Sequence, residues 1–171
     1  VGFFEASGKA TEALKAAEAA IAAVPDDLRL LDALARAQRK AGQSDQAIQT
    51  YNRILLNPST SNDPYLRQAE IYASRADWKS ARAVISRALA RSPDSADLRL
   101  ARFRLLVLEG ANDDALKEAK EMQRIYPSQA VGYVAEADAW TAKKSPEQAI
   151  AALKGAMSKV DTPQISMRLF G

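Results

Sequence analysis

Residues 62–95 read NDPYLRQAEIYASRADWKSARAVISRALARSPDS, and their spacing decides the fold. In the first half Tyr65, Ala69 and Tyr72 recur at three- and four-residue steps. In the second half Ala81, Ile85 and Ala88 do the same. Such steps place side chains on one face of a helix. The break near Ala76 and Asp77 turns the chain, and Pro93 cannot continue a helix, so it stops the second one. The stretch predicts two paired helices, near 62–75 and 78–91.

The same unit recurs along the chain. Ala13, Ala47, Ala81, Ala115 and Ala149 stand 34 positions apart without a slip. Gly8, Gly42, Ala76, Gly110 and Lys144 each lie five residues before them. Ala35, Ala69 and Ala137 come twelve residues before, and Phe4, Tyr72, Leu106 and Trp140 come nine before. Four residues after the alanine stand Tyr51, Ile85 and Leu153, with Ala17 and Ala119 in the other two units. Pro25, Pro58, Pro93 and Pro127 close the units, Pro58 one residue early. Further helix pairs are expected, with first helices near 28–41, 96–109 and 130–143 and second helices near 10–23, 44–56, 112–125 and 146–158.

At this point the chain resembles the tetratricopeptide repeat family, whose 34-residue unit carries W-x2-L-G-x2-Y, then A-x3-F, then P. The second unit matches through Leu31, Leu34, Ala35, Gly42, Ala47 and Tyr51, and the third through Tyr65, Ala69, Tyr72, Ala81, Ile85, Ala88 and Pro93. The resemblance implies an all-α, right-handed solenoid spanning residues 1–171 as a single domain. Its units are 1–27 (partial), 28–61, 62–95, 96–129 and 130–163, with 164–171 opening a sixth. Val1 falls at position 8 of a unit, so a helical stub over Val1–Ser7 is expected. Met167, Phe170 and Gly171 fall at the family's W, L and G positions. The parent chain is therefore expected to continue in both directions.

Small residues at positions 8 and 20 let the two helices of a hairpin approach, since helix axes pack about 8–10 Å apart. Alanine at position 27 (Ala20, Ala88, Ala156) lets the next hairpin nest. Ser44 and Asp45, and Asn112 and Asp113, are suited to cap second helices. The paired acids Asp26–Asp27 and Asp113–Asp114 fit helix starts, where carboxylates complement the dipole, better than a catalytic or metal role. Trp78, Trp140, Tyr65, Tyr72 and Tyr133 recur at repeat spacing and read as core. The fourth unit departs from the pattern. Arg99 and Arg102 occupy apolar positions and Phe103 a small one. A shift by one residue would bring Leu100, Phe103 and Val107 into register instead, and both registers stay open.

The resemblance implies that positions 5, 9 and 12 of each first helix line a concave groove. Here they are Asp32, Arg36 and Arg39; Leu66, Glu70 and Ala73; Leu100, Arg104 and Val107; and Val134, Asp138 and Thr141. Charge mixed with aliphatic surface suits a peptide or helix of matching charge. The competing reading is a set of ordinary solvated side chains. The Lys/Asn/Arg clamp that some members use for a terminal carboxylate is missing, because Asp32, Glu70 and Asp138 stand among the arginines. Arg29, Arg36, Arg39 and Lys40 form a basic run that would meet an acidic partner or else be a solvated face. Lys79, Arg82, Arg87 and Arg91 form another on a second helix.

Composition narrows the function classes. Cysteine and histidine are absent, which removes disulfides, Cys/His metal sites and the commonest general acid–base group. There is no glycine-rich phosphate loop and no nucleophile elbow. No catalytic residue, cofactor or metal is expected, and the chain reads as a non-enzyme. Lys and Arg number 24 against 21 Asp and Glu, interspersed, so nucleic acid is not expected as a partner. No apolar stretch approaches a membrane span.

The expected function is a scaffold for a protein or peptide partner. More narrowly, degenerate Ala- and Leu-rich repeats of this kind resemble bacterial tetratricopeptide proteins of exopolysaccharide-secretion and exosortase (PEP-CTERM) loci. That resemblance leans to the periplasm over the cytoplasm. Two further readings are a substrate-presenting region of a larger enzyme and an RNA-binding helical repeat, the latter disfavoured by the 34-residue phase and the balanced charge. Exposed ends would let copies stack on one another.

Overall fold

The protein is described by a computed structural model over residues 10–160 together with Pro163 and Ile165. The expected stub at Val1–Ser7 and, Ile165 apart, the opening of a sixth unit at 164–171 lie outside the described residues. Among the described residues the fold is all-α. The helices are α1 (Ala10–Ala23), α2 (Leu28–Lys40), α3 (Ser44–Leu55), α4 (Asp63–Ser74), α5 (Trp78–Arg91), α6 (Ala96–Glu109), α7 (Asn112–Ile125), α8 (Ala130–Ala142) and α9 (Pro146–Met157). Each agrees with its sequence expectation to within about two residues. The chain divides into two compact units, 1–84 and 85–171, with the boundary inside α5.

The repeat phase is visible in burial. Ala13, Ala47, Ala81 and Ala115 are fully buried and Ala149 nearly so. In the first unit Ala35, Ala47, Tyr51 and Ile54 form a core with Leu31 and Ile71, where hairpin α2–α3 meets α4. A second cluster joins Ala13, Leu14 and Ala17 of α1 to Leu34 and Ala37 of α2. In the second unit one core gathers Phe103, Leu106, Ala115, Ala119 and Met122 with Ala135 and Ala139. Another gathers Tyr133, Ala137, Ala149, Leu153 and Ala156 with Val160 and Ile165. At about 25 cal/mol per Å2 of apolar surface removed from water, such stripes supply most of a short helix's stability.

The hairpin turns share one conformation. Gly42 and Gly110 have φ of 80° and 81°, and Ala76 and Lys144 reach 55° and 58° at the equivalent positions. Glycine accepts the left-handed region freely, whereas alanine and lysine carry a Cβ clash there. Gly132 has a different reason. A Cβ at this position on α8 would lie 2.6 Å from the Gln123 backbone nitrogen on α7, so the two helices approach backbone to backbone.

The capping expectation is only partly met. Asp27 caps α2, accepting from the Arg29 and Leu30 amides at 2.8 and 3.2 Å. Ser44, Asp45, Asn112 and Asp113 do not cap; Gln43 and Ala111 hold the cap positions without a side-chain bond. Each helix begins one residue too early for Ser44 or Asn112 to cap it. The carboxylates of Asp45 and Asp113 then lie in the first turn, where they reach the end of the next first helix. Asp45 meets Arg75 at 2.6 Å and Asp113 meets Lys143 at 2.5 Å. These pairs are related by two repeats and tie successive hairpins together in each unit.

The fourth repeat keeps the family register without a shift. Positions 8 and 10 are buried in every first helix from α2 on: Ala35 and Ala37, Ala69 and Ile71, Phe103 and Leu105, Ala137 and Ala139. Leu100 and Val107 pack at the edge of the core. Arg99 and Arg102 turn inward to Glu118 on α7, whose side chain is 1% exposed; Arg99 lies 3.3 Å away, and Arg102 is hydrogen-bonded to the other oxygen. An acid at the facing position explains how two arginines can hold apolar slots.

Candidate functional site

A helix in a hairpin stack buries the stripe that meets its neighbours and leaves the opposite stripe to water. On the first helices positions 5, 9 and 12 lie off the buried stripe. All twelve candidate residues are at least partly exposed. Arg39, Glu70, Arg104 and Thr141 are open, and Asp32, Arg36, Leu66, Ala73, Leu100, Val107, Val134 and Asp138 are half-buried.

In the first unit the face of α2 and α4 is charged and largely self-paired. Arg39 donates to Glu70 across the two helices at 2.7 Å. Asp32 lies 3.9 Å from Arg36 and 3.8 Å from Arg67. Arg29 turns back to Asp27. The basic run seen in sequence is thus interleaved with acids from its own and the neighbouring helix. Among the described residues it presents no bare cationic stripe, because Asp32 sits one turn from Arg36 on the same helix and Glu70 comes within reach of Arg39 once the hairpins stack. Beside it Leu28, Ile54, Pro64 and Arg67 line a hollow of about 360 Å3 under the Ser59–Ser61 turn.

In the second unit the face of α6 and α8 is different. Leu100, Phe103, Val131, Val134 and Ala135 wall a cavity of about 630 Å3, with Arg104 and Asp138 on its rim. It lies within the range of ordinary ligand pockets, about 300–1,000 Å3. Ser128, Gln129 and Ala130 close one end, at the start of α8, where Gln129 makes no side-chain cap. Asp138 and Thr141 also border a smaller hollow of about 190 Å3 with Ile150 and Leu153. Four of the six candidates in this unit, Leu100, Arg104, Val134 and Asp138, meet at the larger cavity. Val107 and Thr141 do not. Phe103, Val131 and the 128–130 turn belong to the cavity but escaped sequence reasoning. Only Phe103 left a signal, as a large residue at a small position.

The side chains marked out by charge or by an aromatic ring elsewhere lie apart from these three hollows. Lys79, Arg82, Arg87 and Arg91 are exposed on α5. Tyr65 and Tyr133 are buried, while Trp78, Trp140 and Tyr72 are half-buried. Tyr72 and Trp140 pack on core clusters. Among the described residues no group of three or more acidic side chains could hold a metal ion, and no helix is long and apolar enough to cross a membrane.

Two family models described as tetratricopeptide repeat match the chain, over residues 5–71 and 66–130. No curated protein matches. Among solved structures, a tetratricopeptide repeat protein from Parabacteroides merdae is 17% identical with a TM-score of 0.66, and the match covers 95% of this chain. This chain spans 63% of that protein's length. MamA from Desulfovibrio magneticus is 12% identical with a TM-score of 0.67, covering 99% of this chain and 93% of its own. YrrB, described as a tetratricopeptide protein with an unusual peptide-binding site, is 14% identical with a TM-score of 0.61, covering 98% and 86%. At these identities the likeness is one of fold. The narrower resemblance to exopolysaccharide-secretion and exosortase loci finds no support among them.

Proposed function

This chain belongs to the tetratricopeptide repeat family, and from that premise we propose that it is a protein-interaction scaffold that holds a partner peptide or helix on the exposed face of its first helices. The observation that carries the reading is the cavity between α6 and α8. It is walled by aliphatic and aromatic side chains, opens to solvent, and is rimmed by an arginine and an aspartate. An apolar hollow with a few placed polar groups is how a groove anchors a segment by one or two side chains. The half-buried Leu66, Ala73 and Val107 extend the apolar part of the face within their own units. The peptide-binding site described for YrrB favours a peptide over other partner types. This step is fold-level analogy.

The test is a crosslinking pull-down from lysate of the source organism. Wild type is run beside Leu100→Gln and beside the double variant Arg36→Glu/Glu70→Arg. A protein captured by wild type and lost from either face variant, with helicity kept, supports the reading. Identical capture by all three removes the first-helix face as the working surface.

A further inference from the structure

The cavity of the second unit differs from the first-helix face of the first unit in pairing an apolar hollow with a cation that no acid meets among the described residues. We propose that it takes a segment presenting a large aliphatic or aromatic side chain followed within one helical turn by a carboxylate. This rests on the scaffold reading above and names the partner chemistry of one part of that face.

The apolar half of the argument comes from the wall. Leu100, Phe103, Val131 and Val134 offer only carbon to an occupant, and about 630 Å3 accepts one or two large side chains. The charged half comes from the rim. Asp138 is already engaged within the protein. Arg104 is exposed and makes no hydrogen bond or ion pair among the described residues. Of the two charges at the cavity, the one without an interaction among the described residues is therefore positive. A guanidinium beside an apolar wall offers a forked donor pair that fits a carboxylate and repels lysine or arginine. The start of α8 adds the same sign, because Gln129 leaves its first amides without a side-chain cap.

The first unit gives the contrast. There the cations of the corresponding face are met internally, Arg39 by Glu70 and Arg36 and Arg67 by Asp32. On that face every one of these cations has an acid within reach, Arg36 and Arg67 sharing one, whereas the second unit offers an apolar hole next to a cation with none. Recognition of an anchor side chain with an acid nearby follows from that pairing and needs no carboxylate clamp.

The experiment is selection of a phage-displayed random dodecapeptide library on the immobilised chain. Fluorescence anisotropy of the consensus peptide follows, against wild type, Arg104→Glu, Val134→Asp and the milder Leu100→Gln, each checked for helicity. The proposal expects a consensus with Leu or Phe followed within four residues by Asp or Glu. It expects Arg104→Glu to weaken that peptide about fivefold, on the scale of an exposed ion pair lost and reversed. It also expects selection on Arg104→Glu to drift toward Lys and Arg. Peptides lost with Val134→Asp or Leu100→Gln but carrying no acid and indifferent to Arg104→Glu overturn this inference and leave the scaffold reading standing. Peptides indifferent to all three variants, or no enrichment, overturn both.

Discussion

Phe103 and Ala119 occupy one core cluster with their sizes exchanged relative to the second, third and fifth repeats. In the first unit Ala35 faces Tyr51, and at the end of the second unit Ala137 faces Leu153, small at position 8 and large at position 24. The fourth repeat puts the ring on the first helix and the alanine on the second. A core at fixed packing density tolerates such an exchange when the summed volume is kept. Phe103→Ala alone is expected to cost about 3–5 kcal/mol and Ala119→Leu alone about 1–3. The double variant is expected to cost clearly less than the sum, measured by urea unfolding as a double-mutant cycle. Additive losses would mean that the two side chains do not share a space.

The turn residues make an opposite pair of predictions. Ala76 and Lys144 sit at positive φ, where Gly42 and Gly110 stand in the alternate repeats. Ala76→Gly and Lys144→Gly are expected to raise stability by up to about 1 kcal/mol, relief of Cβ strain being partly offset by backbone entropy. Gly110→Ala is expected to lower it by about 1 kcal/mol, although no atom would obstruct the new Cβ. Equal signs for all three in thermal melts would remove the left-handed turn as the cause.

Glu118 is the only acid among the described residues with its side chain wholly buried, and Arg99 and Arg102 both point to it. Glu118→Ala is expected to cost about 3 kcal/mol, because removing one member of a buried pair strands the other charge. The cost stays near the low end because Arg102 keeps 37% of its side chain in solvent. A triple change to apolar residues of similar volume is expected to recover most of the loss. Failure to recover it in denaturant titrations would point to a role beyond charge balance.

Two titrations bracket the stable pH range. Asp27, Asp45, Asp77 and Asp113 are held below their ordinary value of 3.8 by hydrogen bonds from the Leu30 amide, Arg75, Ser80 and the Lys143 ammonium respectively. Their folded values are depressed, so the stability they contribute is complete above about pH 4 and is lost as pH falls through the lowered values. The urea midpoint is expected to drop below about pH 4, and Asp45→Asn/Asp113→Asn should flatten that slope. At the alkaline end, burial pushes the Tyr51 hydroxyl from 10.0 to about 12. Its raised value gives stability that is complete below about pH 10 and is lost as pH rises toward 12. Burial raises Tyr126 as well, so two tyrosines are expected to ionise late in ultraviolet titration, and Tyr51→Phe should remove the step near 12. Because the hydroxyl is buried with no hydrogen-bond partner among the described residues, Tyr51→Phe is also expected to leave stability unchanged or raised.

Most of the fold was legible because small residues at fixed period have no other use. Ala47, Ala81 and Ala115 mark helix contacts whatever fills the positions around them. The register of α6 was not legible, because its solution lies nineteen and sixteen residues away, in the acid of Glu118 that meets Arg99 and Arg102. Capping failed for a smaller reason: Asp45 and Asp113 sit inside the first turn, past the cap, and answer to cations of the following hairpin. The candidate face could be placed by repeat position alone. Which part of it is hollow could not, since the cavity depends on Phe103, Val131 and the 128–130 turn meeting in space. Pairing across helices, as between Arg39 and Glu70, was equally out of reach of a linear pattern.

If the first-helix face is the working surface, a partner must touch α8 and leave the outer face of α5 bare. This is tested most directly by placing a photocrosslinking amino acid at Val134 on α8, and separately at Arg87 on α5, and irradiating the chain in cells of its source organism. A discrete adduct to another protein is expected from position 134 and not from position 87. An adduct from position 87 alone would contradict this reading and move the binding surface to the second helices.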